Sequence, residues 1–167
     1  MNIRLLKPSD ARQYWGLRLE ALEQNPEAFA TSYEEAIQRE NPIDGVAKNL
    51  TNEGNFTFGA FSNEELVGVV TLLQETPIKL SHRANILAMY VSPKMRGVGV
   101  GKELLLEAIE QAKSIKVIEK INLTVVTSNE RAKKLYGNLG FKVFGTEIQA
   151  FKIDDKYFDE DYMVLFL

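Results

Sequence analysis

The sequence predicts a mixed α/β or α+β fold, with helices between the strands of its second half. Three observations lead to this prediction. Residues 56–61 alternate in the period of a strand. Apolar residues within 104–112 recur at helical spacing, which indicates an amphipathic helix. The β-branched run over 121–126 then predicts a further strand.

The first third of the chain predicts one strand followed by helices. Residues 3–6 form the strand, and residues 8–10 supply turn and N-cap chemistry for the first helix. The Asn-Pro pair at 25–26 ends that helix. Residues 31–35 can cap a second helix, and 43–52 have a weaker helical pattern.

The rest of the chain alternates strands with helices. Residues 62–64 predict the turn of a hairpin, and a glycine-rich segment precedes the helix over 104–112. The predicted strands are 65–73, 84–91 (buried on both faces), 121–126, a short one through Val143 and Phe144, 148–153 and 162–167. Another helix, after the one over 104–112, covers 129–139. The acidic segments 34–35, 154–155 and 159–161 are interpreted as solvated turn or cap residues, which would favour a cationic acceptor only if one of them faced the pocket.

Length and composition predict one cytoplasmic domain over 1–167. A chain of 167 residues can bury a core without crosslinks. Its net charge of −3 gives no electrostatic reason to expect nucleic acid or an anionic membrane as a partner. The N-terminus lacks an apolar signal region, and no apolar run approaches the roughly 18 residues that cross a bilayer.

Two residue types limit the chemistry. The chain has no cysteine, which excludes disulfides, thiolate metal sites and a cysteine nucleophile. Its one histidine, His82, excludes a multi-histidine metal site, so no metal is expected. His82 itself is interpreted as a loop or strand-edge residue.

The segment Arg96-Gly97-Val98-Gly99-Val100-Gly101 carries the strongest functional signal. Alternate glycines permit positive φ angles, so that successive backbone N–H groups can converge on one point. At the start of a helix these donors would meet the positive end of the helix dipole, which favours a phosphate or pyrophosphate. Arg96 and Lys102 add positive charge nearby.

Two common nucleotide motifs do not match this loop. It lacks the Gly-Lys-Ser/Thr ending of a phosphate-binding nucleotide loop. Its glycines have the spacing G-x-G-x-G instead of the dinucleotide pattern G-x-G-x-x-G, and the loop follows a hairpin instead of a first strand. A nucleotide-binding regulatory domain is therefore disfavoured.

The sequence resembles the GNAT family of N-acetyltransferases in two blocks. Arg96-x-x-Gly99-x-Gly101 is similar to that family's acyl-CoA pyrophosphate signature, and an apolar strand ending Met89-Tyr90-Val91 precedes it. The segment 129–141, with its Asn, Ala, Leu-Tyr and closing Gly-Phe, is similar to the family's later helix. The resemblance covers nearly the whole chain and implies a mostly antiparallel sheet, splayed at the acyl-CoA site, with helices on both faces.

The resemblance also implies an activity and a set of site residues. The activity is acetyl transfer from acetyl-CoA to a primary amine of a small molecule, peptide or protein, and the absence of cysteine favours direct attack in a ternary complex. Tyr136 would place its hydroxyl near the thioester sulfur and protonate the departing thiolate, as the catalytic residue. The cofactor-binding residues would be Met89, Tyr90 and Val91 along the pantetheine arm; Arg96, Gly97, Val98, Gly99, Val100, Gly101 and Lys102 around the pyrophosphate; and Asn129 and Tyr136 on the later helix.

The sequence departs from the family at the general base. Many members carry a glutamate eleven residues before the first residue of the signature, and Asn85 stands there in this chain. Asn85 cannot accept a proton. Glu75, His82 and Tyr33 are candidates by residue type alone, and a non-catalytic acyl-CoA-binding module of the same fold remains an alternative.

Several features leave alternatives open at this stage. Trp15, Phe29 and Tyr33 could line an acceptor pocket or belong to the core. Lys133 and Lys134 could reach the phosphates or lie on a basic helix face. The apolar segment 162–167 could pair within the sheet or help to form a homodimer.

Overall fold

The computed structural model describes residues 1–167 and contains one seven-stranded sheet with helices on both faces. The strands are β1 (Asn2–Leu5), β2 (Asn55–Ser62), β3 (Glu65–Gln74), β4 (Arg83–Val91), β5 (Lys120–Val126), β6 (Lys142–Ile153) and β7 (Lys156–Phe166). The helices are α1 (Ala11–Gln24), α2 (Tyr33–Ile37), α3 (Pro42–Asn49), α4 (Val100–Ser114) and α5 (Glu130–Asn138). No helix combines the length and the apolar composition that a bilayer crossing requires.

The helix starts follow the local chemistry of the sequence. Ser32 accepts a hydrogen bond from the Glu35 N–H at 3.1 Å, and the Glu35 carboxylate accepts one from the Ser32 N–H at 2.9 Å. This reciprocal capping box starts α2 at the predicted place. Asn129 caps α5 in a similar way, since its side-chain oxygen accepts a hydrogen bond from the Ala132 N–H at 3.1 Å.

The strand order is β1-β2-β3-β4-β5-β7-β6. Every pairing is antiparallel except that of β4 with β5, which is parallel. The parallel pairing covers only the register Arg83↔Lys120 to Asn85↔Asn122. Beyond Asn85 and Asn122 the two strands part, so the sheet is splayed at its centre. The predicted fold class is confirmed.

Two apolar clusters fix the helices on opposite faces of the sheet. The larger one joins α4 and α5 to the central strands through residues such as Leu104, Leu105 and Tyr136. The smaller one joins α1 to β2, β3 and β4, and it includes Leu17 and Tyr90. The cleft between β4 and β5 therefore opens between two packed layers.

A bulge interrupts β4 at Ala88. The register of β4 on β3 shifts between Val69↔Tyr90 and Thr71↔Leu87, and Ala88 has a φ of 52°. A positive φ is strained for a residue with a Cβ atom, so tertiary packing must hold this conformation. The bulge bends the strand just where it leaves β5.

Three predictions about the strands are wrong. Residues 142–153 form the single strand β6 instead of two short strands, because two irregularities let it bend without ending. Residues 159–161 lie within β7 instead of in a turn, and Asp161 is buried. Leu87 is 45% exposed, so β4 is not buried on both faces once it has parted from β5.

Candidate active site

A cleft of about 640 Å³ lies where β4 and β5 diverge. The start of α4, the first turns of α5 and the segment after α1 complete its walls. Eleven of the twelve residues predicted to form the site line this cleft, namely Met89, Tyr90, Val91, Arg96, Gly97, Gly99, Val100, Gly101, Lys102, Asn129 and Tyr136. Val98 does not line it and is 67% exposed.

The loop before α4 presents a run of free backbone donors. The first N–H that bonds into α4 belongs to Glu103, which donates to the Gly99 carbonyl at 3.1 Å. The six N–H groups from Gly97 to Lys102 make no backbone hydrogen bond. Unpaired N–H groups at a helix start favour an anion, since they coincide with the positive end of the helix dipole. This cradle of free donors thus fits the pyrophosphate of an acyl-CoA.

Glycine is required in the cradle for two different reasons. Gly97 and Gly99 have φ angles of 87° and 92°, and a Cβ atom built on either would meet nothing within 4 Å. Their need is conformational, and the space beside them is open to a ligand. A Cβ at Gly101 would lie 3.1 Å from the Met89 side chain and 3.3 Å from Leu135. Gly101 therefore lets α4 approach β4 and α5 closely.

Arg96 points away from the free donors. Its side chain donates hydrogen bonds to the Val91 carbonyl and to the side-chain oxygen of Asn25, both at 2.9 Å, and its guanidinium carbon lies 5.4 Å from the Tyr90 ring centre. Its backbone N–H donates to Pro93 at 3.3 Å. Arg96 is thus placed to support the loop, and the free donors begin at Gly97.

Tyr136 projects from α5 into the larger apolar cluster and borders the cleft. Its ring packs edge to face with Phe141 at 6.0 Å. Burial disfavours the phenolate and raises the pKa of the Tyr136 hydroxyl to about 12. The hydroxyl therefore stays protonated over the whole physiological range.

The candidate bases named from residue type are not in the cleft. Glu75, His82 and Tyr33 are all absent from its lining. Asn85 donates a hydrogen bond to the Glu75 carboxylate at 2.9 Å, and an Arg83 nitrogen lies 3.7 Å from the same oxygen. Asn85 instead lines a smaller cavity beside the cleft.

The structure places in the cleft a carboxylate that the sequence had grouped with the solvated turn residues. Glu160, on β7, is half-buried and lines the cleft. Burial is the main cause that raises the pKa of Glu160, the neighbouring Glu147 carboxylate raises it further, and the Thr124 hydroxyl acts in the opposite direction. Because Glu160 lies between Asp159 and Asp161, the sequence made it resemble a turn residue. In β7, successive side chains point to opposite faces, so Glu160 has a different environment from its two neighbours.

The structure also places four side chains whose roles the sequence left open. Phe29 lines the cleft and packs edge to face with Tyr90 at 6.5 Å. Trp15 and Tyr33 do not line it. Lys133 forms an ion pair with Asp161 at 3.0 Å, so its charge is already partnered.

The chain is similar in sequence to proteins that are named as N-acetyltransferases. The chain is 28% identical over 123 residues to a spermidine N(1)-acetyltransferase of Thermoplasma acidophilum, covering 74% of this chain and 73% of the relative. It is 25% identical over 166 residues to an L-amino acid N-acetyltransferase of Escherichia coli, covering 98% of both chains. The two relatives are named for different acceptors.

A similar solved structure and a matching family model lead to the same assignment as these relatives. A solved acetyltransferase from Salmonella typhimurium, determined with its cofactor acetyl-CoA, superposes with a TM-score of 0.85 at 18% identity and covers 100% of this chain and 94% of that one. This likeness confirms the fold. The model of the acetyltransferase (GNAT) family matches residues 17–141, which span both the glycine-rich loop and α5. The chain therefore belongs to the acetyltransferase (GNAT) family and is an acyltransferase.

Proposed function

We propose that this chain transfers the acetyl group of acetyl-CoA to a primary amine by direct attack in a ternary complex. The observation that carries the proposal is the run of six free N–H groups from Gly97 to Lys102, five of whose residues line a cleft that the buried Tyr136 also lines. Acetyl-CoA requires both features, since it joins a pyrophosphate to a reactive thioester through a long pantetheine arm.

The cradle and Lys102 bind the phosphates. The N–H groups from Gly97 to Lys102 donate to the pyrophosphate oxygens, and the Lys102 ammonium adds a charge beside them. Arg96 acts indirectly, because its contacts with Val91 and Asn25 hold the loop in place.

The splayed strands accept the pantetheine arm. Because β5 pairs with β4 only as far as Asn85, the β4 edge at Met89, Tyr90 and Val91 has no neighbouring strand on the cleft side. An extended amide chain can lie along such an edge as an added strand. A backbone N–H near Tyr90 or Val91 then stabilises the charge that develops on the thioester oxygen, a contact typically worth about 3 kcal/mol.

Tyr136 acts on the leaving group. At a pKa of about 12, full proton transfer to a thiolate of pKa about 8.5 is uphill by roughly 5 kcal/mol. Tyr136 therefore acts mainly by donating a hydrogen bond that strengthens as negative charge builds up on sulfur. Direct attack fits the composition, since no cysteine is present to carry the acyl group.

The acceptor is a primary amine whose class the relatives leave open. One relative is named for spermidine and another for L-amino acids. Peptide α-amines, lysine side chains and aminoglycosides belong to the same chemical group, so all of them enter the test.

The test measures acetyl-CoA-dependent thiol release with a panel of amines. The panel contains spermidine, L-methionine, an alanine-starting hexapeptide, a lysine-containing peptide blocked at its N-terminus, and kanamycin. Because the protein has no thiol of its own, the background is low. Calorimetry measures acetyl-CoA binding in parallel.

We expect thiol release with at least one amine and acetyl-CoA binding in the micromolar range. Binding without turnover across the panel would argue for a non-catalytic acyl-CoA-binding module. Failure to bind acetyl-CoA would overturn the proposal.

A further inference from the structure

We propose that Glu160 binds the acceptor ammonium and accepts its proton, as the general base of the transfer. This inference rests on the proposed function and assigns a role that Asn85 cannot fill. Four observations of the structure support it.

Glu160 and Tyr136 border one cleft from opposite faces of the sheet. Asp161, the next residue on β7, pairs with Lys133 of α5, so its side chain points to the face of the sheet that carries α5. Successive strand residues alternate, and the Glu160 side chain therefore points to the other face. Tyr136 belongs to α5 and therefore approaches the cleft from the face that carries α5.

The splay lets one ligand reach both side chains. Glu160 pairs with Val126, at the end of β5 that has parted from β4. Both Val126 and Glu160 line the same cleft as Tyr136. A thioester held in the gap would have the Tyr136 hydroxyl on one side and the Glu160 carboxylate on the other, which is the arrangement that a leaving group and an incoming amine require.

Glu160 has no partner of opposite charge. Glu147 on β6 is its register partner, and the Tyr162 hydroxyl beside it donates to Glu147 at 2.7 Å. Thr124 on β5 presents a neutral hydroxyl. Arg131 of α5 lines the cleft but makes no ion pair with Glu160. Two carboxylates without a cation create a local negative potential that favours an ammonium ion.

The titration behaviour of Glu160 suits a base. Burial and the Glu147 charge both raise its pKa above the ordinary value. A raised pKa makes the carboxylate a better proton acceptor. Glu75, in contrast, is engaged by Asn85 and Arg83 outside the cleft.

The reaction balances as follows. The acceptor arrives as an ammonium ion beside Glu160 and gives one proton to the carboxylate. The neutral amine forms a C–N bond to the thioester carbonyl carbon, and the C–S bond breaks. The second amine proton reaches the thiolate, directly or through solvent, and Glu160 returns its proton to solvent.

The experiment compares pH profiles of kcat/KM for the panel amine with the highest turnover. In the wild type, kcat/KM rises with pH and levels off above the pKa of Glu160. For Glu160→Gln we expect kcat/KM about 100-fold lower at pH 7, rising with pH without that plateau, because only amine already neutral in solution reacts. Acetyl-CoA affinity is expected to be unchanged.

Two further variants sharpen the assignment. Glu147→Gln removes the charge that raises the pKa of Glu160, so the rising limb should move to lower pH. Glu110→Gln makes the same chemical change in an exposed surface pair with Lys113, outside the cleft, and its profile should match the wild type.

Each outcome decides between the two proposals. A wild-type profile or an unchanged kcat in Glu160→Gln would overturn the role of Glu160 and leave the acetyltransferase activity standing. Absence of turnover in the wild type would overturn the proposed function, and the role of Glu160 with it.

Discussion

The Arg96 guanidinium donates a hydrogen bond to the side-chain oxygen of Asn25 at 2.9 Å, across 71 positions of sequence. Asn25 is the C-cap residue that follows α1, and Arg96 precedes the glycine-rich cradle. The end of α1 on one face of the sheet is therefore tied to the loop that starts α4 on the other. The same side chain holds the Val91 carbonyl at 2.9 Å, so one guanidinium connects three walls of the cleft.

The first prediction concerns this connection. Asn25→Ala removes the acceptor and leaves the cradle less constrained, so we expect acetyl-CoA affinity to fall about tenfold, the effect of losing one charge-assisted hydrogen bond. Calorimetric titration with acetyl-CoA measures it. Asn138→Ala changes an exposed asparagine outside the cleft and serves as the control. Equal affinity in the two variants would show that Arg96 needs no partner.

The second prediction concerns the cradle itself. Gly99→Trp places a side chain in the open space beside the free N–H groups, and we expect it to abolish acetyl-CoA binding. The variant also forces an L residue into a φ of 92°, at about 1–2 kcal/mol of stability. Gly54→Ala imposes a similar strain at a φ of 78° outside the cleft, so it should lose stability and keep its affinity. Unchanged binding in Gly99→Trp would refute the assignment of the loop.

The third prediction concerns Tyr136. Tyr136→Phe should lower kcat about tenfold, because the hydrogen bond to the leaving sulfur is lost, while acetyl-CoA affinity changes little. Tyr136 borders the cleft, and phenylalanine keeps its edge-to-face contact with Phe141, so the melting temperature should stay the same. Steady-state kinetics and thermal melts measure the two effects. Tyr157→Phe, at a tyrosine that is 48% exposed, is the matched control.

The wild-type pH profile gives a further check on Tyr136. Since the pKa of its hydroxyl is about 12, ionisation of Tyr136 should produce no falling limb below about pH 10. A falling limb near neutrality that disappears in Tyr136→Phe would contradict its environment in this structure.

The fourth prediction concerns stability. Asp10 accepts two hydrogen bonds from Arg4, at 2.7 and 2.9 Å, and a third from the Lys7 N–H at 2.7 Å. The Arg4 contact is the main cause that lowers the pKa of Asp10 below its ordinary value. Asp10→Ala should therefore destabilise the protein by about 2 kcal/mol at pH 7.

The sign of this contribution fixes its pH dependence. A carboxylate with a lowered folded-state pKa stabilises the fold above its unfolded pKa of about 3.9, and that stability is lost as pH falls through the folded pKa. The difference between wild type and Asp10→Ala in urea unfolding should thus be constant near neutral pH and shrink as the pH falls below about 4 and through the folded-state pKa of Asp10. Asp155→Ala, in an exposed turn, should match the wild type throughout. A difference independent of pH would mean that packing, not charge, is lost.

Local patterns were sufficient for most elements of the fold. The capping box at Ser32 and Glu35 and the cap at Asn129 involve groups within three residues, so the sequence displays both partners together. The prediction of two short strands within 142–153 was wrong for the opposite reason. Glycine and polar residues inside 142–153 resemble a turn, and only long-range pairing with β7 keeps the strand continuous.

The residues of the candidate site also fall into two groups, those that local motifs predict and those whose role depends on the tertiary structure. The glycine-rich loop and the helix of Tyr136 are contiguous motifs, and the family resemblance that they carry implied that they share a site. Glu160 had no such signal, because its environment depends on which face of β7 it occupies and on where β5 parts from β4. The bulge at Ala88, with its φ of 52°, was equally invisible, since alanine gives no local preference for that conformation.

The sequence by itself determined the fold class, the family resemblance and the glycine cradle, because these follow from periodicity and from backbone freedom at fixed spacings. Tertiary structure alone decided that Arg96 supports the loop through Asn25, that Asn85 is held by Glu75, and that Glu160 faces the cleft. The physical reason is that charge, burial and hydrogen bonding at these residues come from partners on other elements. Such partners are brought together only when the whole sheet has formed.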